Sequence, residues 1–156
     1  MAIVLPKFPR SGLSNRLQSD SPPRAVESNS PPVMIELLGF QPGYMPSDEL
    51  RFQFTIRDLE VESISAIEAS VVWVTDGKGS EDLGVHFFQR LTGDDISGRD
   101  WSEPQSLSTI LPESPLSYEG RLLKIRWCIR VRLYLKDGNE LVTQEPFFLG
   151  TKTREI

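Results

Sequence analysis

One alternating run near the C-terminal end constrains the fold more than any other feature of the chain. Large apolar residues occupy every second position, namely Leu123, Ile125, Trp127, Ile129, Val131, Leu133 and Leu135. The positions between them hold Lys124, Arg126, Cys128, Arg130, Arg132 and Tyr134. Only a β-strand converts a period of two into one apolar and one polar face. The run therefore predicts a long strand whose apolar side faces a core.

Such a strand is not stable alone, because an isolated strand orders its backbone without neighbours that complete its hydrogen bonds and cover its apolar side. Shorter segments with strand composition supply those neighbours. They are residues 33–38, 49–57, 64–75, 83–91 and 140–149, with a brief apolar step at Leu107, Ile110 and Leu111. We therefore predict an all-β chain, an antiparallel β-sandwich of immunoglobulin-like or arrestin-like type, with about seven strands over residues 33–150.

Turn residues divide these segments. Glycine and proline cluster in residues 39–46, a polar glycine-rich loop spans residues 76–82, and Asp137 with Gly138 forms a hairpin signal. Pro146 cannot donate to a strand ladder, so it implies an edge strand or a break. Residues 92–106 are the longest stretch without periodicity, and no convincing amphipathic helix is present.

The two ends of the chain differ from the middle. Residues 1–32 are rich in Ser and Pro and predict a disordered leader, with a short linear motif or phosphosites at Ser21 and Ser30 as the alternative. Residues 151–156 form a charged tail. The formal net charge is −5; residues 1–32 contribute +4 − 2 = +2, which leaves −7 for the remainder. An acidic body argues against nucleic acid as a partner.

Cysteine content and hydropathy indicate the cellular compartment. The single cysteine, Cys128, excludes an internal disulfide and fits a reducing environment. No apolar run approaches the roughly 20 residues of a membrane span, and the first residues lack the pattern of a secretory signal. We therefore expect a cytoplasmic protein, with membrane contact only peripheral if any.

No combination of residues indicates catalysis. One histidine, His86, and one cysteine do not make a thiolate and imidazole zinc site. The acids at residues 76–82 and 94–95 do not follow the calcium-loop spacing, and no Gly-x-Ser-x-Gly nucleophile motif occurs. We therefore predict no catalytic, metal or cofactor-binding residues, and we interpret His86 as a structural residue.

Two features are candidates for partner binding. The first is the cationic ladder, which we define as Lys124, Arg126, Arg130 and Arg132. Its cations either bind an acidic peptide or lipid headgroups, or they form ion pairs across strands with acids such as Glu68 and Glu140. On an edge strand, the cations would also discourage uncontrolled pairing with strands of other chains. The second is Trp101, which either anchors a partner or closes its loop onto the sandwich.

The turn before the long strand resembles a known family. Leu111-Pro112, then Pro115-Leu116-Ser117-Tyr118-Glu119-Gly120, then Lys124-Ile125-Arg126-Trp127 are similar to the arrestin-like β-sandwich, in which Pro-x-Ser-[Phe/Tyr]-x-Gly leads into Lys-Ile-x-[Tyr/Trp]. The segment from Tyr44 to Leu50 is similar to a second turn of that family. The resemblance implies a non-enzymatic adaptor, as in the retromer-associated and bacterial sporulation-control types. Arrestins usually join two sandwiches and this chain has room for one, so their cargo and signalling roles do not follow.

These observations favour a non-enzymatic, protein-binding adaptor or scaffold. It would bind by strand addition at an open sheet edge, or through the loop around Trp101 together with the cationic ladder. A structural subunit of a larger assembly, including a homo-oligomer, is the alternative, and a metal-dependent hydrolase is a third class.

Overall fold

The computed structural model describes residues 31–39, 41–79 and 81–151. Most of the predicted leader and residues 152–156 of the predicted tail lie outside this part of the chain. The elements are β1 (Val33–Leu37), β2 (Glu49–Ile56), a 3-10 turn (Val61–Ser63), β3 (Ile64–Gly77), β4 (Asp82–Thr92), α1 (Asp94–Ser97), β5 (Gln105–Ile110), β6 (Tyr118–Glu119), β7 (Leu123–Leu135) and β8 (Glu140–Phe147).

The strands form two stacked sheets. The small sheet has the order β1-β2-β5, and the large sheet has the order β4-β3-β7 with β6 and β8 sharing the far side of β7. Every pairing between these strands is antiparallel. The predicted antiparallel β-sandwich is therefore confirmed, with eight strands in the described part of the chain because β5 and the two-residue β6 add to the six long segments.

The alternating run is the centre of the large sheet. β7 pairs with β3 from Leu123 opposite Gly77 to Leu135 opposite Ile64, and with β8 on its other side. Trp127, Ile129, Val131 and Leu133 are each 0% exposed. The prediction of an inward apolar side is correct for these residues and wrong for Leu123, which is 42% exposed, since its neighbour Gly77 has no side chain to pack against it.

The core lies between the sheets in two groups of side chains. One surrounds Trp101 and includes Phe54, Ile67, Val131 and Leu133. The other surrounds Trp127 and joins β2 to β7 through residues including Leu50, Phe52, Val71 and Ile129. Each fully buried large apolar side chain stabilises the fold by about 1.5–3 kcal/mol, so β7 is held by the small sheet rather than by its own propensity.

The segment predicted to be irregular is partly ordered, which corrects the prediction for residues 92–106. It contains α1, and β5 begins within it at Gln105. β5 fills the edge of the small sheet by pairing with β2. Its sequence gives a weak strand signal because polar residues occupy four of its six positions, and half-buried Leu107 is its one large inward side chain.

The turn with the arrestin-like motif supports β7 through specific contacts. The indole Nε1 of Trp127 donates to the carbonyl of Pro115 at 2.8 Å. Ser117 connects the turn to the end of β8, because its amide donates to the Leu149 carbonyl at 2.7 Å and its hydroxyl accepts from the Leu149 amide at 2.9 Å. Gly120 lies directly against the ring of Tyr118, so a side chain there would collide with it.

Candidate binding surface

The side of the large sheet turned away from the small sheet carries the predicted cationic ladder. We call it the outer face. The register places side chains from four strands in rows across it. One row runs Phe88, Ser70, Arg130, Gln144, and the next runs Arg90, Glu68, Arg132, Val142.

A depression lies at the centre of the first row because Ser70 is small. On one side stands Phe88, which is 54% exposed, and on the other lies Arg130, which is only 7% exposed. We call this depression the Ser70 notch. Its water-accessible volume is about 30 Å³, and it is lined by Glu68, Ser70, Val72, Leu83, Val85, Phe88, Arg130 and Arg132. Apolar side chains thus form its floor and one wall, and guanidinium groups form the other wall.

The second row is a network of charges around Tyr134. Glu68 accepts from Arg90 Nη1 at 2.7 Å through Oε2 and from the Tyr134 hydroxyl at 2.9 Å through Oε1. Arg132 Nη1 donates to the same hydroxyl at 3.0 Å, and Arg132 Nε lies 3.8 Å from Glu140 Oε2. The guanidiniums of Arg90 and Arg132 lie 5.4 and 5.8 Å from the Tyr134 ring centroid. Cross-strand pairing is therefore present between Arg132 and Glu140, whereas Glu68 pairs with Arg90 and is connected to Arg132 through the Tyr134 hydroxyl.

Arg130 lies in a less polar environment. With the Gln144 amide oriented toward it, the amide oxygen accepts from Nη2 at 2.8 Å and from Nε at 3.0 Å. Burial lowers the pKa of Arg130; the neighbouring Cys128 opposes this shift and the positive charge of Arg132 adds to it. Burial likewise raises the pKa of the Cys128 thiol, although the charge of Arg130 opposes this. The guanidinium remains charged at neutral pH, so its charge is held in a poorly solvated site.

The other half of the ladder is solvated. Arg126 Nε lies 3.2 Å from Glu119 Oε1, and Lys124 Nζ lies 4.0 Å from Glu119 Oε2. These pairs at exposed side chains contribute little to stability. β7 is flanked by β3 on one side and by β6 and β8 on the other, so the ladder does not protect a sheet edge, contrary to that expectation.

Trp101 lies inside the sandwich. It is 2% exposed, its ring stacks on Phe54 with centroids 6.1 Å apart and planes 18° apart, and its Nε1 donates to the Ile96 carbonyl at 2.8 Å. Its position is that of a residue closing its loop onto the core. A partner that binds this conformation does not reach the indole. The partner-binding role of Trp101 and of the ladder remains a prediction.

Phe88 and Ser70 were not predicted as site residues. A sequence signal existed for Phe88, because consecutive residues of a strand face opposite sides. Of the pair Phe87 and Phe88, one ring therefore had to face away from the core. Ser70 gave no such signal, since a small residue forms a depression only when its cross-strand neighbours are large.

The edge formed by β8 is protected against strand addition. Among the described strands β8 pairs only with β7, so its second side is open. Pro146 removes one donor from this edge, and the register places Glu145 opposite Ile129, on the core side of the sheet. A proline and an inward-facing charge are two devices that discourage edge-to-edge pairing. Binding through the outer face therefore has more support than strand addition at β8.

His86 connects the two sheets. Its Nε2 lies 2.8 Å from the Ile110 carbonyl and 3.1 Å from Thr109 Oγ1, and its ring meets that of Trp127 edge-on at 6.0 Å. Within residues 31–39, 41–79 and 81–151, no three His, Cys, Asp or Glu side chains are grouped so that they could hold a metal ion. No helix in the same ranges has the length and apolar character needed to cross a membrane.

The geometry defines a two-sheet antiparallel β-sandwich with a mixed apolar and cationic outer face. The fold is similar to that of Spo0M, a sporulation control protein from Bacillus subtilis, with a TM-score of 0.51 and 14% identity over 77% of this chain and 49% of that one. The chain thus spans about half the length of Spo0M. A superoxide reductase (neelaredoxin) from Ignicoccus hospitalis gives a TM-score of 0.49 and 9% identity over 76% of this chain and 80% of that one. No protein-family model and no curated protein matches the sequence. The likeness to Spo0M shows a shared fold.

Proposed function

We propose that this chain is a non-enzymatic, arrestin-like module of the cytoplasm that binds another protein through the outer face of its large sheet. The turn Pro115–Gly120 and the fold shared with Spo0M support the arrestin-like assignment. The observation that carries the binding function is the exposed ring of Phe88 across the Ser70 notch from the guanidinium groups of Arg130 and Arg132.

The outer face contains more apolar side chains than a sheet face turned toward solvent normally does. The exposed side of an antiparallel sheet is normally polar. Here Val72, Leu83 and Cys128 form a separate buried apolar cluster on that side, with Val74 and Val85 packed against it, and Phe88 and Val142 of the two rows are exposed at 54% and 46%. An apolar centre bordered by charged groups is the usual anatomy of a protein interface, and aromatic and arginine side chains are enriched among the residues that dominate binding energy.

Phe88 provides the most direct test of this function. The full chain, immobilised by one end, would capture partners from a lysate of the native cell, in parallel with a Phe88→Ser and a Leu122→Ser variant. Both residues are exposed and apolar, at 54% and 73%, but Leu122 directly precedes the first residue of β7 and is eight residues from Arg130, toward the other end of that strand. We expect Phe88→Ser to lose proteins that wild type and Leu122→Ser retain.

The ladder is tested with Arg130→Glu together with Arg132→Glu. Partner capture should weaken while the near-ultraviolet circular dichroism of the folded chain persists. Loss of the fold in this double variant would mean that the two arginines are structural. Equal capture by wild type and Phe88→Ser would contradict the proposed function.

A further inference from the structure

We propose that this chain forms a symmetric dimer in which the β4 strands of two copies pair edge to edge and antiparallel, so that the two large sheets become one continuous sheet. The two-fold axis passes through Gln89. This interface goes beyond the proposed function and does not rest on it, because pairing within the plane of the sheet leaves the outer faces of both copies open to a partner.

The free edge of β4 lacks two features that protect sheet edges. Among the described strands β4 pairs only with β3, so no strand completes its other side. From Leu83 to Leu91 it contains no proline, and its one formal charge, Arg90, lies on the outer face rather than on the core side. The edge of β8, by contrast, has Pro146 and the inward-facing Glu145. A long edge without such features is a template for another strand.

The regular part of this edge runs from Phe87 to Thr92. The bulge at His86 is itself a device against edge pairing, but the register with β3 is uninterrupted after it. In an antiparallel ladder every second residue directs its N–H and C=O to the same side, so about half of these residues present both groups to an added strand. The side chains favour such an addition, because Phe88 is 54% exposed and Phe87 and Leu91 are only partly buried.

The sequence of this segment is complementary to itself. With the two-fold axis at Gln89, Phe88 lies opposite Arg90 of the second copy, and Phe87 lies opposite its Leu91. Directly opposed side chains of an antiparallel pair have Cβ atoms about 5 Å apart. The guanidinium therefore reaches the exposed Phe88 ring in a cation–π contact, which occurs twice in the dimer. Arg90 keeps its intramolecular ion pair in this arrangement, since 49% of its side chain is exposed beside that pair.

Other registers of the two β4 strands fit less well. An axis at Arg90 places two guanidinium groups directly opposite each other, which is destabilising. An axis at Phe87 or Phe88 carries the pairing across the bulge, where the opposed residues of the two strands face different sides of the sheet. An axis at Leu91 shortens the ladder because β4 ends at the next residue. The register centred on Gln89 therefore combines the longest regular ladder with no opposed like charges.

The charges along the edge permit this contact at physiological ionic strength. Arg90 is the one formal charge in residues 87–91, and Glu68 of the same chain pairs with it at 2.7 Å. Asp94 and Asp95 lie just beyond the ladder, and each whole chain carries a formal charge of −5. Repulsion between these more distant charges is screened beyond about 8 Å in 0.15 M salt. We therefore expect the dimer to weaken at low ionic strength.

Sedimentation equilibrium of the full chain measures the association directly. Between about 1 μM and 1 mM protein in 0.15 M salt, we expect the mass to rise from that of the 17.6 kDa chain toward twice that value. Because Gln89 lies opposite itself, Gln89→Lys and Gln89→Glu should each weaken the dimer by about tenfold or more, since like charges then face each other. An equimolar mixture of the two variants should restore the association as a heterodimer, which also shows that both variants are folded.

The same charges at Ser108, an exposed position of β5 in the small sheet, provide the control, and Ser108→Lys and Ser108→Glu should dimerise as wild type does. A chain that stays monomeric over the whole concentration range would overturn the inference. So would dimerisation that neither Gln89 variant weakens, or a mixture that associates no better than each variant alone.

Amide hydrogen exchange identifies any other occupant of the β4 edge. In the dimer, protection of residues 87–91 should increase with protein concentration. Protection that is independent of concentration and is lost on deletion of residues 1–32 would overturn the dimer and assign the edge to that segment of the same chain. Protection gained only with a captured partner would overturn it in favour of that partner. The Gln89 variants leave Phe88 unchanged, so failure of the dimer and failure of the proposed function are separate results.

Discussion

The buried indole of Trp101 allows a quantitative test of how the loop before β5 is held. Trp101→Ala removes a side chain that is 2% exposed, stacks on Phe54 and packs in the core group with Ile67 and Val131. Truncation of a buried Trp to Ala costs about 3–5 kcal/mol. Trp101→Phe keeps an aromatic ring for the stack but removes the hydrogen bond to the Ile96 carbonyl. We expect it to cost about 1–3 kcal/mol.

Urea and thermal denaturation of the full chain measure these differences. For a domain of this size, 1 kcal/mol shifts Tm by roughly 3–5 °C, so Trp101→Ala should lower Tm by roughly 10–20 °C and Trp101→Phe by less. The slope of the unfolding free energy against urea should not change, because both variants expose nearly the same surface on unfolding. Leu122→Ala, at a side chain that is 73% exposed, is the control and should change the unfolding free energy by about 0.5 kcal/mol or less.

The same variants distinguish the two interpretations of Trp101. If the indole closes the loop, Trp101→Phe loses stability and still captures the partner under conditions where it is folded. A destabilisation by Trp101→Ala of less than about 1 kcal/mol would refute the packing argument. Loss of partner capture by Trp101→Phe at unchanged stability would instead identify an anchor that becomes exposed on binding.

Two further predictions concern local contacts. Gly84 faces Trp73 across the sheet, and a Cβ there would collide with the indole. Gly84→Ala should therefore destabilise the fold by about 1–3 kcal/mol and alter tryptophan fluorescence. Ala at a strand glycine without such a contact would be neutral or stabilising. Hydrogen bonds from the Ser102 hydroxyl and amide lower the pKa of Asp100. The contribution of Asp100 to stability is therefore present above the carboxyl pKa of the unfolded chain and is lost as pH falls through the lower pKa of the folded chain. Asp100→Asn should make stability less dependent on pH in this acid range, and an unchanged profile in urea titrations between pH 5 and pH 2 would contradict the assignment.

The sequence predicted the strands and the inward side of β7 because alternation is a local property. It did not predict how deeply Arg130 and Arg132 would be buried, since their exposure depends on Gln144 and Glu140 of β8 and on Glu68 and Ser70 of β3. Likewise, only the apolar step at Leu107, Ile110 and Leu111 indicated β5, because Gln, Ser and Thr at its other positions carry little hydrophobic signal, and its place in the small sheet comes from pairing with β2. Local pattern thus indicates faces, whereas long-range register decides which side chains become neighbours.

A β-bulge in β4 shows why the apolar floor of the Ser70 notch could not be predicted from alternation. Val71 pairs with Phe87, but the next residue, Val72, pairs with Val85, so His86 is the additional residue. The bulge reverses the alternation of inward and outward side chains along β4. Phe87 packs in the core group around Trp127, whereas Val85 joins the outer cluster despite having the same parity. Strict alternation would have placed Val85 and Leu83 in the core beside Phe87. The insertion instead turns them outward next to Phe88 and directs His86 to the Ile110 carbonyl, so one extra residue connects the two sheets and supplies the apolar half of the proposed binding site.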